Sequence, residues 1–324
     1  MTGVTECSTC VNIAAIMPMV PIEPNLLEGA HIMYQSYGGW TFAFNDYTDA
    51  GIMQSLDDDK FGLVWNFLDP LNYKDRLAKI PKYIMLSSDD EFMMFDWTNK
   101  YYDQFKTMGE TKLLISPNSE HSLATAIPNV VSSAATIARS IATGNTEEDR
   151  PSFDFEKSGE KEITVKISEG GPKLKGVYLR HAETFSSLRR DFRWVTLAGE
   201  DNKNCSLPWI PLPSGQEDSL KATHNLEDDQ KLCLQLIDWH KQELKETEKG
   251  SGVYVGTAPE PKKDSHWVGY FIEAIFEGDT EAPPNPITSA LIKNEYVMTT
   301  PGWVYPDTYP FDDCYLDTCT NTLV

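Results

Sequence analysis

With 324 residues, the chain has material for two hydrophobic cores rather than the single one that usually organises a domain. Its 28 basic and 49 acidic residues leave a formal charge of −21, spread along the chain, which excludes nucleic-acid binding through phosphate neutralisation. The longest apolar stretch, residues 11–22, is broken by Pro18 and Pro21 and falls short of the roughly 20 residues a bilayer span needs, so a soluble chain without membrane insertion is expected.

From the N-terminus, residues 1–7 have neither a basic start nor an apolar core, so no secretory signal is read on the chain. Compact apolar runs at 11–17, 82–87 and 112–116 have the character of parallel strands covered on both faces. Longer segments between them suit helical crossovers, and 122–141 reads as a final helix, which makes this part α/β. The polar stretch 144–151 marks a boundary, after which short strands predominate: around Ile163, Val165 and Ile167, then at 177–179, 192–195, 253–255, 267–276 and 296–298. Their lengths and the turn residues between them predict an antiparallel sandwich. Residues 231–244 fit both alternation and helical spacing, and 243–249 is a charged, solvated stretch.

Chemistry is best placed where two strands end. Asp89 and Asp90 follow the run 82–87, and His121 follows the run 112–116 just before a helix. In an open parallel sheet such loops share one edge, so an acid and an imidazole 31 residues apart can meet there. Asp90 and His121 would then be the acid and the base of a Ser, Asp, His order. The alternative is that Asp89 and Asp90 turn the chain while His121 caps the helix. A hydrolase of this kind carries its nucleophile in Gly-x-Ser-x-Gly, and no serine here has that surrounding. Ser36, in Gln35-Ser36-Tyr37-Gly38, is the nearest lookalike and reads as structural. Aromatic residues Tyr34, Tyr37, Trp40, Phe42, Phe44 and Tyr47 suit either a pocket wall or the core of a helical cap.

Six cysteines are too few for a disulfide scaffold. Cys7 and Cys10 lack the second ligand pair that zinc requires, so neither a metal nor a cofactor is expected. Cys314 and Cys319 flank a loop short enough to close as a disulfide, and Cys205 with Cys233 is a second candidate pair. Asn204-Cys205-Ser206 is a glycosylation sequon, which with the disulfides leans towards an extracellular location.

Several ordered segments resemble one family: Ile16-Met17-Pro18-Met19-Val20, Tyr37-Gly38-Gly39-Trp40-Thr41-Phe42-Ala43, Asp69-Pro70-Leu71-Asn72-Tyr73, Asp90-Glu91-Phe92, Pro117-Asn118-Ser119-Glu120-His121, Arg190-Asp191-Phe192-Arg193 and Gly269-Tyr270-Phe271-Ile272-Glu273. Together they are similar to the PhoPQ-activated pathogenicity-related proteins, a family that includes the autocrine proliferation repressor proteins. The resemblance covers nearly the whole chain and implies a partial α/β-hydrolase-like parallel sheet over 1–145. A β-sandwich-like accessory domain over 151–313 and a C-terminal tail over 314–324 would follow. It places Asp90 and His121 at the acid and base positions. It also implies an N-terminal region holding the serine elbow, with Thr2-Gly3-Val4 resembling the end of the helix after that elbow, so the chain is expected to be truncated and catalytically incomplete. Two functions follow from the resemblance: a secreted serine hydrolase acting on a small ester or peptide, or a non-catalytic secreted signalling protein that meets a cell-surface receptor.

Overall fold

The computed structural model describes residues 13–22, 24–197, 232–235, 237–278 and 293–324. Helix α1 (Leu26–Tyr37) ends at Gly38, whose φ of 69° is the left-handed cap that glycine adopts without penalty. Its Gly29 lies against the Trp97 indole so closely that a Cβ there would stand 1.7 Å from ring carbons. Gly29→Ala is therefore expected to cost about 2 kcal/mol through overpacking, read as a lower urea midpoint at unchanged slope. Short helices α2 (Asn45–Asp49), α3 (Asp59–Leu68) and α4 (Lys74–Leu77) follow.

Strand β1 (Lys82–Ser87), helix α5 (Thr98–Lys106) and strand β2 (Thr111–Ser116) form a βαβ unit, with the strands parallel and Lys82 opposite Thr111. All of β1 is buried, which its apolar run requires. Its one charged member, Lys82, survives there because its ammonium donates to the carbonyls of Leu77, Ile80 and Met108 at 3.0, 2.8 and 2.6 Å. Burial lowers its pKa to about 8, against the pull of Glu110. The extended segment expected at 11–17 lies along the other edge of β1, slightly later than read, with Ile16 and Met19 bridging Lys82 and Met85 in parallel. Residues 11 and 12 are outside the described range. The expected final helix is α6 (Ile127–Ala142), preceded by a 3-10 turn at Ala124–Ala126.

The later strands are β3 (Phe153–Ser158), β4 (Glu162–Ile167), β5 (Leu174–Glu183), β6 (Val195–Leu197), β7 (Leu232–Leu234), β8 (His240–Glu243), β9 (Val253–Thr257), β10 (Val268–Glu277), β11 (Glu295–Thr299) and β12 (Trp303–Tyr305). One antiparallel sheet runs β11-β10-β5-β8, with β12 also on β10, and a second runs β3-β4-β9. They pack through Ile163 and Val165 against Leu179 and Ile272. The strand expected at 192–195 begins only at Val195. Asp191 accepts from the Arg193 backbone N–H at 3.0 Å, and that local ring withdraws the backbone from a ladder. In 231–244 alternation prevails: β7 and β8 are short strands, and the described residues between them are irregular.

Among the described residues the two larger hydrophobic clusters lie one around Trp40, Trp97, Phe105, Trp239 and Phe271, the other around Tyr83, Val130, Ile163, Leu179 and Tyr296. Each draws on both sides of the polar stretch 144–151. That stretch is anchored by the buried Arg150, whose Nε donates to Glu110 at 2.8 Å, while Lys112 donates to the Pro151 carbonyl at 2.8 Å. The final residues are also anchored. Cys314 and Cys319 form a disulfide with Cα atoms 4.8 Å apart, and the Trp40 backbone N–H donates to the Thr322 carbonyl while its carbonyl accepts from the Val324 N–H, both at 2.8 Å. Cys233 is disulfide-bonded and buried, whereas Cys7, Cys10, Asn204 and Cys205 lie outside the described residues. No helix among the described residues is long and apolar enough to cross a membrane.

Candidate active site

Successive carboxylates just after β1, where the chain bends, go separate ways. Asp89, 0% exposed, accepts from the Trp239 indole at 2.8 Å, the Ser88 hydroxyl at 2.7 Å and the Ser119 backbone N–H at 3.0 Å. Burial pushes its carboxyl well above the usual range, although those three donors pull the other way. Asp89 is thus a tie between the two strand-end loops and Trp239. Asn118, held in a left-handed conformation at φ 57°, strengthens it by accepting from the Trp239 backbone N–H at 2.7 Å.

Asp90 faces the other loop. Its Oδ1 and Oδ2 stand 2.9 and 3.0 Å from His121 Nδ1, and because a carboxylate only accepts, the proton sits on Nδ1. The carboxylate is oriented by the backbone N–H groups of Phe92 and Met93 at 2.7 and 3.0 Å and by the Ser87 hydroxyl at 2.9 Å. The structure therefore brings together Asp90 and His121, the residues expected to meet. His121 is held from two further sides: its backbone N–H donates to Glu91 Oε2 at 3.0 Å, and its ring lies 4.4 Å from the Phe92 ring. Burial lowers the His121 pKa, but the hydrogen bond and charge of Asp90, with the charge of Glu91, outweigh it and hold the imidazole above its ordinary 6.5. Capping near α6 falls instead to Glu120, which accepts from the Ala124 N–H at 2.9 Å.

His121, its side chain 29% exposed, also lines a cavity of about 290 Å³. The other walls are apolar: Phe44, Met53, Trp65, Phe92 and Trp97 among them. Of the aromatics between 34 and 47, Phe44 and Tyr47 reach this cavity, whereas Tyr37, Trp40 and Phe42 are buried elsewhere. Ser36 is fully buried and does not line it. Glu91 and Trp239 carry no signal of their role in the sequence, since Trp239 acts on Asp89 from 150 residues away. Met53, Trp65 and Trp97 look like ordinary core residues at helical spacing.

A second histidine forms no catalytic or metal arrangement. His31 Nδ1 is 2.8 Å from Asp313 and Nε2 is 3.1 Å from Asp57, so both ring nitrogens meet acceptors and the imidazolium is favoured. The neighbouring sulfur of Cys314 is locked in the disulfide, which removes the third ligand of this cluster among the described residues.

The family model described as PhoPQ-activated pathogenicity-related protein matches residues 7–193, a range that holds Asp90 and His121. The chain belongs to this family. It is 28% identical over 321 residues to autocrine proliferation repressor protein A of Dictyostelium discoideum, covering 97% of this chain and 55% of that protein. The chain thus spans about half the length of the curated relative it matches. No solved structure is significantly similar to it.

The PhoPQ-related match ends on Arg190-Asp191-Phe192-Arg193, whose charged members are buried. Arg190 donates to Asp96 at 2.5 Å, beside the Trp97 that walls the cavity. Arg193 grips Asp191 with Nε at 2.9 Å and Nη2 at 2.7 Å, gives Nη1 to the Val324 carbonyl at 2.9 Å, and lies 4.1 Å from the Tyr37 ring centre. This PhoPQ-related chain thereby fastens α1, the start of β6 and the C-terminal residues to one guanidinium.

Proposed function

We propose that Asp90 and His121 are the acid and base of a serine-hydrolase-type site acting on an ester or amide. The observation that carries this reading is the hydrogen bond of His121 Nδ1 to both carboxylate oxygens of Asp90 while the same ring lines the apolar cavity. With Nδ1 protonated, Nε2 offers its lone pair; it takes the proton of a nucleophilic hydroxyl as that oxygen bonds the substrate carbonyl carbon, then returns it to the leaving group. Asp90 stabilises the imidazolium between those steps. The wider fold in this reading is of the α/β-hydrolase kind, with the parallel β1–β2 pair as part of its sheet.

Because no serine of these 324 residues stands in Gly-x-Ser-x-Gly, the chain by itself is proposed to be catalytically incomplete. Incubation with a fluorophosphonate probe is expected to leave it unlabelled, and stoichiometric labelling of Ser36 or any other serine would sink that part of the proposal. The acid and base roles are tested in any longer product found to carry a Gly-x-Ser-x-Gly elbow. There His121→Ala is expected to lower kcat for a p-nitrophenyl ester by about 10³-fold or more, and an unchanged kcat would overturn the roles. A second reading, a secreted signalling protein without catalysis, is favoured by the name of the Dictyostelium relative and by the disulfides. Slower proliferation of cells exposed to the purified protein, equal for wild type and His121→Ala, would select it.

A further inference from the structure

The cavity beside His121 has a composition that specifies a ligand class. Apart from the Tyr47 hydroxyl, the indole N–H groups and His121, its walls are aliphatic, aromatic or thioether carbon and sulfur. Its volume, about 290 Å³, is roughly twice that of a cavity known to accept benzene, which corresponds to about a dozen non-hydrogen atoms. The rim is apolar as well: Ile22, Tyr47 and Leu68 line the cavity and are exposed at the surface. Charge argues against an anion, since Asp90 and Glu91 stand at the His121 end and the chain carries −21 overall.

We infer that this cavity binds an uncharged medium-length alkyl chain, as in a fatty-acyl or fatty-alcohol ester, with the ester group at the His121 end. The placing of the ester group rests on the acid and base roles proposed above; the binding of the chain does not. Each methylene transferred from water to such walls strengthens binding by a constant factor until the space is full. Beyond that length the chain returns to water and the gain stops.

The test uses the full 324-residue chain with 1-aminonaphthalene, a molecule of about the cavity's capacity, as a fluorescent reporter, displaced by a series of n-alkyl acetates. Displacement is expected to tighten about 4-fold per methylene and to level off near a dozen non-hydrogen atoms. A series that is flat, or that keeps rising to the longest chains as partition into a surface film does, would overturn the inference. So would decanoate displacing the reporter better than methyl decanoate. Ala30→Phe, which fills the cavity from α1, is expected to abolish displaceable fluorescence at an unchanged melting temperature. Leu63→Ser, on the outer face of α3 where Leu63 is 72% exposed and Phe67 70%, is expected to preserve it. The reverse pattern would place the reporter on that outer face and overturn the inference. If Ala30→Phe does not fold, the wild-type length series alone decides. No turnover enters the assay, so a negative result leaves the His121→Ala measurement standing, and loss of the catalytic roles leaves this one standing.

Discussion

Replacing Arg193 by alanine is expected to destabilise the protein by about 3–5 kcal/mol, because it strands the Asp191 carboxylate, buried and 2.7 Å from the nitrogen it would lose, without that cation. The same change frees the Val324 carbonyl and removes the guanidinium from the Tyr37 ring. Arg193→Lys is expected to recover little, since one ammonium cannot serve Asp191 through two parallel bonds and still reach Val324. Guanidinium denaturation measures the loss; a change below about 1 kcal/mol would mean that Asp191 finds other donors once Arg193 is gone.

Asp90→Asn has the largest expected effect on chemistry. Asparagine keeps an acceptor for the Phe92 and Met93 N–H groups but loses the charge that raises the His121 pKa, so the His121 titration followed by NMR should move down. If the acid and base roles proposed above hold, kcat of any longer product that carries a serine elbow is expected to fall about 10⁴-fold, the effect of losing the Nδ1 tautomer. Stability depends on pH in a defined direction. Because the folded His121 pKa lies above 6.5, its protonation contributes stability that is complete below 6.5 and is lost as pH rises through the folded value. Asp90→Asn should flatten that window in denaturation curves taken from about pH 5.5 to 8.5. A variant whose His121 titrates like wild type would separate Asp90 from any control of the imidazole.

The site's pair was legible because chain order and strand topology suffice for it. Two apolar runs separated by a crossover place their following loops side by side, and the residues at those positions were Asp90 and His121. The choice of Asp90 over Asp89 came from resemblance, and its physical basis lies in Trp239, which no local pattern connects to Asp89. The cavity was legible only in part. Phe44 and Tyr47 stood in an aromatic cluster, but Met53, Trp65 and Trp97 are apolar residues whose periodicity is the same whether they face a packed core or a void. The strand read at 192–195 was displaced for a reason of side-chain geometry: alternation cannot anticipate that Asp191 and Arg193 close on each other.

The long reach from Asp89 to Trp239 sets a timetable during synthesis. At about 5–20 residues per second, the 150 residues between them occupy roughly 8–30 seconds, far longer than a βαβ unit needs to collapse. Throughout that interval a nascent chain holds Asp90 and His121 on loops whose Trp239 clasp has not yet been made, and β2 lacks the Thr299 hydroxyl that later meets the Ile115 N–H at 3.0 Å. The half-made site therefore exposes apolar β1 and β2 side chains and a bare strand edge to the crowded space around the ribosome. Such a chain is a natural client for holding chaperones until its last third emerges.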